Sequence, residues 1–413
     1  MRPFPRLIPL LAALLTLGLP PLGGPAIASD HLDTPTVIAD PRADIGDLYA
    51  WMSPDGRRLN LVMTIVGHSL SDRLDYTFHI DSARRFGTPG STSGRSVDLT
   101  CRFPGPRQAD CRLGDIDRVQ GDAGTTDGLW GEHHSFRLYA GLRDDPFFNN
   151  VRGTRQAYQV AEAALAPGPG KTGVAVDKAG CPAFGSATSA KILDTWRHTD
   201  GGPAKNLLAG WTPMAIVASV EVDAVNQGGP LLAVWAATVG PKGQVDRAGR
   251  PLTGNALLGQ LRSDEEADRW KEAYNAATPA DGPRFEAEIA QGLAYYDSFD
   301  GQCGNQWLAD AKAPLARRYH RLAAVLADDR LWVNSATGIC TQMFAVELAA
   351  LSDERALRSD CGGRTLTYDA SNIYRSFLVN GTAAGVADGL TRDEYPPSNT
   401  IFPFLVAPEV PPS

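Results

Sequence analysis

The stretch 96-SVDLTCRFPGPRQADCRL-113 decides how this chain is read. Val97, Leu99, Cys101 and Phe103 alternate with polar residues, Pro104-Gly105-Pro106 makes a turn, and Ala109, Cys111 and Leu113 alternate on the return. A period of two marks a strand with one buried face, and a Pro/Gly break between two such runs marks a hairpin. Cys101 and Cys111 are therefore expected to face each other across this hairpin as a disulfide.

The same period continues outward. In 74-LDYTFHID-81, Leu74, Tyr76, Phe78 and Ile80 share one face, and Asp75, Thr77 and His79 the other, solvated one. Residues 59–66, 135–141, 213–223 and 231–239 are further β-branched, apolar strand candidates. The Asn226-Gln227-Gly228-Gly229-Pro230 link between the last two predicts a hairpin. Residues 154–166 read as an isolated helix. From about residue 260 the period lengthens to that of a helix: Ser263 and Glu266 stand in capping-box spacing, and helical patterns run over 284–297, 305–327 with a break near Pro314, and 341–358. The proline-rich end, 402-FPFLVAPEVPPS-413, reads as an extended segment laid over the surface. The expectation is an α+β fold in one domain over 29–413. Its β-rich, sandwich-like antiparallel core covers 29–259, with a helical insertion around 260–358 and a mixed C-terminal segment over 359–413.

Residues 1–28 have the parts of a signal peptide: Arg2 and Arg6, an apolar run from Leu7 to Leu19, and a small-residue ending Ala26-Ile27-Ala28. The apolar run is shorter than the ~18 residues a membrane span needs, and no later segment reaches that length. The mature chain is thus expected in the periplasm or the extracellular medium, with no integral membrane segment. The full chain has 39 basic and 47 acidic residues. Loss of the leader's two arginines makes that balance more acidic still, and the remaining basic residues are dispersed. Nucleic acid is a poor partner for such a chain, because phosphates reward clustered Lys and Arg. All six cysteines lie downstream of the leader, and an even count in an exported chain reads as disulfides. Beyond Cys101 and Cys111, the pairing of Cys181, Cys303, Cys340 and Cys361 stays open among three connectivities.

Several separated stretches together resemble the landmarks of the domain of unknown function 4331 family of exported bacterial proteins. In order they are SDHLDTPTVIADPRADIGDLYAW (29–51), YTFHID (76–81), GLRDDPFF (141–148), LAVWAATVG (232–240), QVDRAGRPLTGNAL (244–257), GGRTLTYDA (362–370) and FPFLVAP (402–408). The resemblance covers essentially the whole mature chain. It implies export and a single large β-containing domain, and it brings no reaction or ligand. Family members begin with Ser-Ser-His or Ser-His followed by Arg or Lys and Glu. Here Asp30 precedes the histidine and Leu32-Asp33 follow it, so Asp44, Asp47 and Tyr49 match the pattern better than the segment around His31.

Two metal readings attach to the N-terminal segment. If the chain is cut after Ala28, the α-amine of Ser29, two backbone amides and the His31 imidazole form the four-nitrogen plane that Cu(II) and Ni(II) prefer. Alternatively, the carboxylates among Asp30, Asp33, Asp40, Asp44 and Asp47 offer hard oxygens for Ca²⁺ or Mg²⁺, with Asp44 and Asp47 at i, i+3 on one side of a turn. Adding His31 shifts that preference towards Zn²⁺, Mn²⁺ or Fe²⁺. The competing reading is that these aspartates cap turns, as Asp does beside Pro and Gly. His133 and His134 are a further ligand pair, provided they lie on a loop, since neighbours on a strand point to opposite faces. Arg143, Asp144 and Asp145, and Asp246, Arg247 and Arg250, are expected to pin loops through bidentate ion pairs. The alternative there is a polar cleft with Tyr139, Trp211 or Trp235 as stacking platforms. No His-Glu-x-x-His, phosphate-binding loop or Cys-x-x-Cys occurs. The sequence thus reads as an exported, disulfide-containing, non-enzymatic binding protein of unknown molecular function, with Ser29, His31, Asp44 and Asp47 as the candidate ligands should it bind a metal (copper or calcium). The alternatives are a metal- or carboxylate-dependent extracytoplasmic enzyme and a carbohydrate-binding or structural surface module.

Overall fold

The computed structural model describes residues 32–87, 95–167, 173–310 and 312–408. The expected leader over 1–28 and the Ser29-Asp30-His31 stretch after it lie outside the described residues. A short helix, α1 (Pro35–Ala39), leads into strands β1 (Ile45–Met52), β2 (Arg58–Ile65), β3 (Asp75–Ala83), β4 (Arg95–Arg102), β5 (Gln108–Leu113), β6 (Asp117–Asp122), β7 (Leu129–Trp130) and β8 (Phe136–Leu142). The hairpin that opened the reading forms as β4 and β5, with Cys101 opposite Cys111 in the ladder and the two joined. Tyr76, Phe78 and Ile80 on β3 are fully buried, as the alternation requires. On its other face His79 stacks on Trp235 with ring centroids 3.9 Å apart.

Two helices follow, α2 (Val151–Leu165) and α3 (Ser186–Trp196), then a two-stranded ribbon of β9 (His198–Thr199) and β10 (Gly202–Pro203). The chain returns to sheet with β11 (Met214–Glu221), passes a one-turn helix α4 (Val222–Val225), and continues through β12 (Leu231–Gly240) and β13 (Gly243–Ala248). One antiparallel sheet has the order β1-β2-β11-β8-β7, and the other β13-β12-β3-β4-β5-β6, with β14 (Leu331–Asn334) also on β12. The expected hairpin between β11 and β12 is therefore not made: the two strands belong to different sheets. Both edges of each are already occupied, β11 by β2 and β8 and β12 by β3 and β13. The Gly-Gly link serves as a crossover instead. A Cβ on Gly228 would stand 2.6 Å from Ser82 O, and Gly229 takes a φ of +143° against Ala83. Only glycine lets the link lie that close to β3.

The remaining helices are α5 (Thr253–Leu257), α6 (Asp264–Asn275), α7 (Glu286–Asp297), α8 (His320–Asp328), α9 (Ala345–Leu351) and α10 (Ala370–Asn380). The Ser263/Glu266 capping box opens α6 as expected. The predicted helix over 305–319 is not formed, apart from one 3-10 turn at Leu315–Arg317. The stretch bonds across the layer instead: Gln306 Nε2 donates to Leu293 O at 3.0 Å, and Trp307 N donates to Phe377 O at 3.1 Å.

The β-rich core stands, but the helical part is wider than an insertion at 260–358. Ala157 and Ala161 of α2, Ile192 and Trp196 of α3, and Tyr374 and Phe377 of α10 share one apolar cluster with Ile289, Leu293, Tyr296 and Phe299. Residues of both large sheets share another. The C-terminal stretch is likewise no surface strap where it is described. Phe404 and Leu405 are buried in the sheet core, and the Phe404 ring meets Trp51 edge-on at 5.0 Å. Besides Cys101–Cys111, the disulfides are Cys181–Cys303 and Cys340–Cys361. Such bridges persist in oxidising compartments and are compatible with an exported protein. Among the described residues no helix is long and apolar enough to cross a membrane.

Candidate functional site

Asp44 sits immediately before β1 and is fully buried. Its Oδ2 accepts the amide of Leu32 at 2.8 Å, while its Oδ1 is buried with no hydrogen-bond partner. Two further buried carboxylates act on the same region. Asp33 receives Asn275 Nδ2 on its Oδ1 at 3.3 Å. Asp246 of β13 receives Ile45 N at 2.7 Å and Arg247 N at 2.8 Å. Burial raises all three carboxyls, and their mutual repulsion adds to it: Asp33 acts on Asp44, and both act on Asp246. Asp33 is pushed up to about 6, with Lys271 pulling against the shift. Lys271 is itself tied back, donating to Asn255 Oδ1 at 2.6 Å.

Asp47 belongs to a different constellation. A bulge between Ile45 and Leu48 breaks the β1 register, and a bulge re-aims the side chains on either side of it. The Asp47 carboxylate meets Arg364 Nη1 at 2.6 Å in a pair that is almost fully buried on both sides. The guanidinium also donates to Leu48 O at 3.1 Å and lies 4.1 Å over the Tyr49 ring. Tyr49 Oη donates to Asp145 Oδ1 at 2.7 Å, and the Thr64 hydroxyl to Asp145 Oδ2 at 2.6 Å. Asp44 and Asp47, expected on one side of a turn, are thus parted. Asp44 faces Asp33 and Asp246, and Asp47 faces Arg364. Both Ser29 and His31 lie outside the described residues. His133 and His134 are exposed in the turn before β8, where the His133 amide is taken by Asp117 at 3.0 Å and His134 leans on Trp130. Among the described residues no three His, Cys, Asp or Glu side chains are preformed to hold a metal ion.

The expected local Arg/Asp ion pairs also resolve differently. Arg143 lies 4.4 Å over the Tyr139 ring, and Asp145 is engaged by Tyr49 and Thr64. Arg247 stacks on Tyr274 at 3.7 Å, while Arg250 reaches Glu347 of α9 at 2.9 Å with both side chains buried. Neighbours on an extended backbone point to opposite faces, so Asp246 and Arg247 cannot serve the same pocket. Sequence reasoning passed over Asp393, which stands against Asp144 near the C-terminus. Asp144 is pushed up to about 8 by burial and by the Asp393 charge. Arg364 was passed over too, since nothing in GGRTLTYDA distinguishes a buried arginine from an exposed one.

Segments far apart in sequence therefore meet in one polar interior: 45–51, 141–148, 244–250 and 362–366 are joined by the contacts above. Comparison with protein-family models, with curated proteins and with solved structures finds no match to this chain.

Proposed function

We propose that this chain is an exported, disulfide-tied binding protein of the domain of unknown function 4331 family, and that it holds a divalent cation where its N-terminal segment passes Asp44. The carrying observation is Asp44 Oδ1, buried and without a partner beside two more buried carboxylates. A buried charge is costly unless it is paired or coordinates a metal. Asp33 and Asp44 supply hard oxygens, and His31, in the same segment by sequence, supplies a nitrogen. An oxygen-only set favours Ca²⁺; participation of His31, or of an α-amine at Ser29, moves the preference to Zn²⁺ or Cu²⁺. The family assignment is supported by the way four landmark segments of the resemblance close on one another through Asp47–Arg364, Tyr49–Asp145 and Ile45–Asp246.

Metal analysis of protein purified from the periplasm or medium tests this directly. Near one equivalent of a divalent metal is expected, and less than ~0.1 equivalent together with a chelator-insensitive Tm would sink the reading. The pH response of chelated protein carries a definite sign. Carboxyls raised above their unfolded values bind protons more tightly when folded. Their contribution is present in full below about pH 4 and is lost as pH climbs, through about 6 at Asp33 and through the likewise raised values of Asp44 and Asp246. Chelated protein is thus expected to be less stable at pH 8 than at pH 5, and added metal to flatten that slope. Asp44→Asn keeps the shape and the Leu32 contact while removing the charge. It is expected to abolish metal binding and to stabilise the chelated protein at pH 8 by about 1–3 kcal/mol. A variant that binds metal like wild type refutes Asp44 as a ligand.

A further inference from the structure

Asp144 ties both ends of the loop 393–406. Its backbone amide donates to Val406 O at 2.9 Å, and its side chain meets the Asp393 carboxyl at the other end. The two residues are 4% and 9% exposed, and Asp144 Oδ2 receives no donor from the described residues. Two carboxyls in contact away from water cannot both ionise, so the pair is satisfied by a proton held between them. The charges that act most on Asp144 are those of Asp393, Asp145 and Glu394, all acidic. Asp145 is committed to Tyr49 and Thr64, and the neighbouring Arg143 lies over Tyr139. Asp393 receives the Tyr395 amide at 3.0 Å and Asn206 Nδ2 at 3.4 Å, and the same Asn206 group reaches Glu394 at 2.9 Å. These donors are neutral and leave the negative charge uncompensated. Between its two ends the loop covers β1: Trp51 Nε1 donates to Asn399 O at 3.0 Å, the Leu366 amide donates to Asn399 Oδ1 at 3.1 Å, and Phe404 packs edge-on against Trp51.

We propose that the Asp144–Asp393 pair is a proton-operated latch on the loop 393–406: a shared proton keeps the loop closed over Trp51, and its loss drives the two ends apart. Carboxylates in contact repel, and in an interior of low dielectric that repulsion is strong. Glu394, beside Asp393, adds to it. Burial and the Asp393 charge push Asp144 up to about 8, and burial pushes Asp393 up to about 6. In the open loop both carboxyls return to the ordinary value near 4. The closed form therefore holds protons that the open form has shed. The latch is fully set below about pH 4 and is lost as pH rises through about 6 and then about 8. Each proton so held changes the opening equilibrium about tenfold per pH unit.

Hydrogen exchange on the whole protein, followed by mass spectrometry and corrected for the intrinsic pH dependence of exchange, reads the latch. Peptides covering 393–406 are expected to lose protection about a hundredfold between pH 6 and pH 8 and to level off above that. Asp144→Asn sets an amide donor against the Asp393 carboxylate, so its loop should keep the same protection across this range. Asp393→Asn does so from the other side and serves if the first variant does not fold. Both leave Asp33, Asp44 and Asp246 in place, so a pH response arising from those carboxyls appears in wild type and variants alike. The difference between wild type and variant is expected in the loop and in β1 beneath it, with the β4–β5 hairpin unchanged. The proposal is overturned if the wild-type loop keeps constant protection from pH 6 to pH 8, if the asparagine variants lose protection as wild type does, or if they alter the hairpin as much as the loop.

Discussion

Replacing Arg364 with alanine is expected to destabilise the protein by about 3–5 kcal/mol, the cost of breaking a buried ion pair from one side. The side chain is 1% exposed and does several things at once. It neutralises Asp47 at 2.6 Å, satisfies the Leu48 carbonyl at 3.1 Å and covers the Tyr49 ring, while its backbone pairs with Ala50 at the edge of β1. Alanine would leave the Asp47 carboxylate buried without its guanidinium and open a cavity over Tyr49. A double variant, Arg364→Met with Asp47→Leu, removes both charges at similar volume and is expected to recover much of the loss, since apolar replacement of a buried pair is often neutral or better. Urea denaturation of the single and double variants measures the difference. A loss below ~1 kcal/mol for Arg364→Ala would place this pair with exposed ion pairs, which contribute little.

The second large effect belongs to the Cys181–Cys303 bridge. It closes a loop of 122 residues, against 10 for Cys101–Cys111 and 21 for Cys340–Cys361. On chain-entropy grounds the stabilisation grows with the logarithm of loop length, to about 5 kcal/mol for the longest loop and about 3 for the shortest. Cys181→Ser with Cys303→Ser should therefore lower the denaturation midpoint more than the corresponding pair of changes at Cys101 and Cys111. The bridge also anchors the segment before α3 to the chain leaving α7, where Trp196, Tyr296 and Phe299 pack together. An equal or reversed ranking would show that native-state contacts near the short bridge, and not loop closure, set the order.

How far the sequence could be read follows from what each residue faces. β3, β4 and β5 were legible because their two faces meet different surroundings, so polarity alternates. The β11–β12 pairing was not, because both strands are buried on both faces and carry no period; only the Gly-Gly link remained, and it suits a crossover as well as a turn. The Ser263 capping box is legible because it is local, whereas 305–319 hydrogen-bonds to α7 and α10, which no local pattern records. The site divides in the same way. Asp44 and Asp47 were found as carboxylates near the N-terminus, but their separation depends on a bulge. The partner of Asp47 lies in a stretch whose contact with Leu48 spans 316 residues. Asp246 reads in the sequence as half of a loop ion pair, whereas in the fold its carboxylate takes the Ile45 amide at the start of β1, beside Asp44.

The disulfides share a further property. Cys101 joins Cys111, Cys181 joins Cys303, and Cys340 joins Cys361, so every cysteine bonds to its immediate neighbour in the order of the six. Were the chain exported N-terminus first, as proposed, each thiol would meet its correct mate before any competitor. Oxidation in order of emergence then arrives at the native set directly, without the thiolate exchange that interleaved bridges need to correct their errors.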